Sequence, residues 1–129
     1  MLKKTLFLAA ILSSFAYAET CPTVHEIRSN NFNGWNAYTI DNGTPLSSDE
    51  LQKFKSRVLQ FALAEWMPEA PEGESHCYYL DKHSHDSSLV FAYLAKHDLI
   101  AEKSTYWQDK GGETLQCFHG IMDCRFIHK

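Results

Sequence analysis

Between Leu46 and Pro68 the apolar positions fall at helical spacing. Leu51, Phe54, Val58 and Phe61 recur every three or four residues with Ala62 beside them, while Lys53, Lys55, Arg57 and Gln60 lie largely off that stripe. A start signal precedes the stripe. Ser47-Ser48-Asp49-Glu50 is a capping box, Leu46 and Leu51 are placed as a hydrophobic staple, and the acids of the first turn suit the helix dipole. The pattern predicts one long helix over residues 48–67, stopped by Pro68. Its second half is apolar more than half-way round, through Leu59, Leu63 and Trp66, which predicts burial on two sides. A membrane-surface helix needs a basic polar face, and Glu65 does not supply one.

Elsewhere the pattern is β-like. Residues 35–40, 76–80 and 124–127 read as strands, as do 89–94, with a short helix as the alternative for the last, and 99–102 continue the sheet. Residues 106–108 and 114–118 flank a hairpin turn at 109–113. Residues 41–45 form a turn around Asn42-Gly43, a reading preferred to the glycosylation sequon Asn42-Gly43-Thr44. Residues 23–33 are weakly patterned, with Val24 and Ile27 as apolar points. The acid-rich stretch 69–74 reads as a solvated connector, because its spacing does not match a calcium loop. The expected fold class is therefore α+β: one long helix packed on an antiparallel β-sheet, in a small disulfide-stapled domain.

The N-terminus changes the picture. Lys3 and Lys4 precede a short apolar run, and Ala16-Tyr17-Ala18 supplies small residues at the cleavage positions of a secretory signal. The expected organisation is a signal peptide over residues 1–18 and a single domain over 19–129, secreted or periplasmic. No membrane span is expected in the mature chain. A lipoprotein reading fails at Glu19 and Thr20, which stand before Cys21 where small apolar residues belong. The 129-residue chain carries a net charge of −4, and loss of Lys3 and Lys4 leaves −6. That balance argues against a nucleic-acid partner held by backbone charge.

Cys21, Cys77, Cys117 and Cys124 all lie beyond the leader. An even count in a small exported domain predicts two bridges, and no Cys-x-x-Cys pair favours a metal instead. Of three possible connectivities, Cys117–Cys124 with Cys21–Cys77 is favoured.

The candidate chemistry is thin. Seven histidines is a high number for this length, and His83-Ser84-His85-Asp86 is the one compact cluster. On an extended segment His83 and His85 face one way, so with Asp86 they could chelate zinc or copper. A small ribonuclease-like hydrolase would need a base, an acid and a cation, a set that Glu102, His119, His128 and Arg125 could provide. Neither a Gly-x-Ser-x-Gly nor a His-Glu-x-x-His motif occurs. The leading reading is a non-enzymatic binding module without cofactor, whose partner is a protein or an envelope component. Its candidate contact residues are Trp35, Tyr78, Tyr79, Tyr106 and Trp107, of which about half must face the core.

Cys21-Pro22, then Gly34-Trp35-Asn36-Ala37-Tyr38, then a central helix and the segment from Gly73 to Tyr79, together resemble short exported proteins of Gram-negative bacteria that carry a domain of unknown function. The resemblance covers residues 21–80. It implies export and a disulfide-bonded domain, and it carries over no catalytic or binding residue.

Overall fold

The computed structural model describes residues 18–70 and 73–129. The leader read over residues 1–18 lies, except for Ala18, outside the described residues. In order the elements are β1 (Ala18–Glu19), α1 (Val24–Arg28), β2 (Asn36–Thr39), α2 (Ser48–Arg57), β3 (Val58–Met67), β4 (Glu74–Asp81), β5 (Ala92–Lys96), β6 (Leu99–Ala101), β7 (Gln108–Asp109), β8 (Leu115–Cys117) and β9 (Phe126–His128).

The α+β expectation of one long helix on a sheet is overturned. The described residues are mostly antiparallel sheet with two short helices. The helix begins where the capping box puts it: the amide of Glu50 donates to Ser47 Oγ at 3.2 Å, and Glu50 Oε1 accepts from the Ser47 amide at 3.0 Å. It ends ten residues early. After Arg57 the same apolar run becomes β3, a strand paired on both sides, with β4 and with β8. The carbonyls at the helix end are taken by distant partners: the Lys82 amide donates to Arg57 O at 2.8 Å, and the Arg28 guanidinium to Val58 O at 2.6 Å. The Arg57 side chain is meanwhile ion-paired with Asp81. With those acceptors filled from outside, no further turn of helix is needed to satisfy them.

A short helix also stands where the sequence reading was weak. Thr23 caps α1 and Glu26 reciprocates, in a second capping box. Its Ile27 is fully buried.

Two sheets result. The larger runs β2-β5-β4-β3-β8-β7, and the smaller β1-β9-β6. The expected single sheet is thus divided, because β9 pairs with β6 on one side and with β1 on the other instead of joining β8. The segment read as a strand at 89–94 reaches the larger sheet as Ala92–Lys96, with Leu89 making only an isolated bridge to Leu80. The hairpin at β7–β8 forms around 110–114. Gly43 turns the chain after β2 at φ +66°, a backbone region that favours glycine.

Alternation along β4 sorts the two faces of the larger sheet. Ser75, Cys77, Tyr79 and Asp81 point to the core, where Phe54 of α2 stacks edge-on against Tyr79 and Phe91. The Tyr79 hydroxyl donates to Pro22 O at 2.6 Å. Cys21–Cys77 ties the N-terminal segment to β4, and Cys117–Cys124 closes the loop between β8 and β9.

Candidate functional site

The other face of the larger sheet collects the chemistry. Glu74, His76 and Tyr78 alternate with the core residues of β4, and cross-strand register extends the row in both directions. Tyr38 of β2 lies opposite Tyr93 of β5, with ring centroids 5.8 Å apart. Tyr93 stacks on Tyr78 at 5.7 Å and lies tilted against the His76 ring at 4.7 Å. Glu65 of β3 lies opposite His76, and Gln116 of β8 lies opposite Glu65. Five neighbouring strands thus contribute to one row.

The row is a connected polar network. His76 Nε2 is 3.2 Å from Glu74 Oε1, and His76 Nδ1 is 3.2 Å from the Tyr78 hydroxyl and 3.6 Å from Glu65 Oε1. The Tyr78 hydroxyl donates to Glu65 Oε1 at 3.4 Å, and Gln116 Nε2 donates to Glu65 Oε2 at 2.6 Å. The facing His76, helped by Gln116 and Tyr78 against the cost of burial, holds the Glu65 carboxyl below its ordinary value. Burial, with the Glu65 charge beside it, pushes the Tyr78 hydroxyl well up. Tyr93 is raised by burial and by Glu74. At neutral pH Tyr78 and Tyr93 are therefore neutral hydrogen-bonding groups beside an ionised Glu65. The register puts no Lys or Arg among the strand residues of this face. The arrangement offers π-faces, hydroxyls and negative charge, which attract cations and hydrogen-bond donors.

The network has a pH signature. A depressed carboxyl contributes stability that is present above its unfolded value and lost as pH falls through its folded one. Urea midpoints of the wild type will fall as pH drops below 4.5, the ordinary glutamate value, and those of Glu65→Gln will fall less. Parallel curves for the two proteins would show that the pairing of Glu65 adds no stability.

The residues singled out in sequence are placed differently from one another. Trp35, Tyr79 and Trp107 are 3%, 0% and 8% exposed, so as contact residues they are corrected to core residues. Both indoles pack edge-on against Phe126 of β9, at 5.6 and 5.2 Å, each from the residue just before a strand of the larger sheet, β2 for Trp35 and β7 for Trp107. Tyr78 is on the row just described. Tyr106 is exposed and leans on His119, ring centroids 4.4 Å apart, away from the row.

His83, His85 and Asp86 sit in the connection between β4 and β5. The His83 amide donates to Asp81 Oδ1 at 2.9 Å, and the Asp86 carboxylate accepts from the hydroxyls of Ser84 and Ser88. Among the described residues no group of three or more His, Cys, Asp or Glu side chains is placed to hold a metal ion. Of the hydrolase set, Arg125 and Glu102 meet at 3.4 Å beside a concavity of about 210 Å³ that Tyr106 also lines. His128 instead pairs with Glu19 at 2.9 Å and Asp98 at 3.5 Å.

Sequence reasoning passed over Tyr38, Tyr93, His76, Glu74, Glu65 and Gln116. A signal existed for part of this set. Once Cys77 is read as a bridged core residue, residues one step away on the strand must point outward, and these are His76 and Tyr78. Glu65 carried no such signal, because its segment reads as helix.

Among the described residues no helix is long and apolar enough to cross a membrane. No family model, no curated protein and no solved structure matches this chain.

Proposed function

We propose that this chain is an exported, disulfide-bonded binding module whose tyrosine–carboxylate row receives a basic segment of a protein partner. The observation that carries this reading is the row itself: three tyrosine rings in series, Tyr38 and Tyr78 each against Tyr93, flanked by Glu65 and Glu74 with no lysine or arginine among the row's strand residues. Tyrosine is enriched in protein contact surfaces, since it brings large area at little entropic cost. Its ring attracts ammonium and guanidinium groups, and the two carboxylates reinforce that attraction. Export is supported by the leader over residues 1–18 and by two disulfides, which persist in oxidising compartments. Proteins of the kind this chain resembles share the exported, bridged character.

Dye-labelled hepta-arginine and hepta-glutamate peptides test the proposal by fluorescence anisotropy. The arginine peptide binds and the glutamate peptide does not. Tyr93→Ala weakens binding about tenfold, equivalent to about 1.4 kcal/mol, and Tyr93→Phe, which keeps the ring, retains most of it. Equal binding of the two peptides, or an unchanged affinity in Tyr93→Ala, defeats the reading.

A further inference from the structure

We infer that a basic concavity at the C-terminal end of α2 is a binding site for a phosphoryl or sulfate oxyanion. The concavity has a volume of about 500 Å³ and is lined by Arg28, Gln52, Lys55, Ser56 and Lys82. Three positive side chains therefore come together from three separate parts of the chain: α1, α2 and the turn after β4. No carboxylate lines it. Among the described residues Arg28, Lys55 and Lys82 form no ion pair, although the chain as a whole is acidic at −4. The nearby acid that could neutralise them, Asp81, is engaged by Arg57 and by the His83 amide.

Helix ends account for part of this charge and not for the rest. Arg28 and Lys55 stand in the last turns of α1 and α2, where a cation offsets the negative end of the dipole. Two helix ends carry at most about one unit of negative charge between them, against three positive side chains, so about two units remain uncompensated. A phosphate monoester carries about −1.5 to −2 at neutral pH. Lys82 belongs to no helix and supplies about half of that excess.

One donor is held and the others are near it. Arg28 Nη2 is fixed on Val58 O at 2.6 Å, which leaves other N–H groups of the guanidinium fork for an anion. Lys55 Nζ is 3.4 Å from Asn30 Oδ1, and Lys82 is set by its backbone bond to Arg57 O at 2.8 Å. The Gln52 amide adds a neutral donor, while the Ser56 hydroxyl already donates to Lys53 O at 2.8 Å. A planar fork, two mobile ammonium groups and an amide match the tetrahedral spread of phosphate or sulfate oxygens.

Inorganic pyrophosphate and inorganic phosphate, added to isotopically labelled protein, provide one arm of the test. Vesicles of phosphatidylglycerol in phosphatidylcholine, with pure phosphatidylcholine as control, provide the other and distinguish a headgroup from a free anion. In either arm the amides of Arg28, Gln52, Lys55, Ser56 and Lys82 shift on binding. Lys82→Glu, at an exposed position, weakens that binding at least about tenfold, and raising salt from about 50 to 200 mM weakens it further. Lys55→Gln gives a smaller loss of the same sign. Shifts located elsewhere, binding unchanged in Lys82→Glu, or no response to any of the three probes overturns the inference. A thermal melt of Lys82→Glu matching the wild type ensures that a loss reports the anion and not the fold.

Discussion

Cys21→Ala/Cys77→Ala lowers the stability of this domain by about 4 kcal/mol on the chain-entropy account, and Cys117→Ala/Cys124→Ala by about 2.5 kcal/mol. The difference follows from loop length. The first bridge spans 56 positions and the second only 7, so the first withholds more freedom from the unfolded chain. Position adds to it. All four cysteines are fully buried, but the Cys21–Cys77 bridge anchors the segment whose Pro22 carbonyl takes the Tyr79 hydroxyl. A 4 kcal/mol loss corresponds to a melting point about 15 °C lower in a domain of this size. Calorimetry of the two double variants checks the order. An equal loss from both pairs, or a larger one from Cys117 and Cys124, contradicts the argument.

Phe54→Ala costs about 3–5 kcal/mol. Phe54 is fully buried and is the residue through which α2 grips the larger sheet, its ring edge-on to Tyr79 at 6.3 Å and to Phe91 at 6.5 Å. Alanine leaves a cavity bounded by two rings that are themselves held, Tyr79 by its bond to Pro22 and Phe91 by the bond from the Ile40 amide to its carbonyl. The lining therefore cannot collapse cheaply. Leu59→Ala, at a residue 50% exposed, serves as the control and shifts the urea midpoint little. A loss below about 1.5 kcal/mol for Phe54→Ala would mean that α2 is not held through this contact.

Ser47 and Glu50 illustrate what a local signal can carry. A capping box is settled by residues three apart, and α2 starts where it predicts. Thr23 and Glu26 obey the same rule, and α1 forms there although its apolar pattern is sparse. The hairpin at β7–β8 and the turn at Asn42-Gly43 are likewise short-range. The candidate site divides along the same line. Tyr78 and His76 are readable from strand alternation about Cys77. Tyr38, Tyr93 and Gln116 become neighbours only through pairing between strands distant in the chain.

By itself the sequence determined the start of the helix, the turns, the strand character of much of the C-terminal half and the presence of cysteine pairs, since each rests on residues a few positions apart or on simple counting. Tertiary structure alone decided that residues 58–67, with Leu, Ala, Glu and Met at helix-favouring positions, form a central strand. Their intrinsic preference amounts to tenths of a kcal/mol per residue. Two flanking strands, β4 and β8, supply ladder bonds on both edges, and Lys82 and Arg28 fill the carbonyls where the helix would have continued. Arg28, 30 positions away, and the ladders with β4 and the distant β8 outweigh a local preference of that size, and the pairing with β4 places Glu65 opposite His76 on one sheet face.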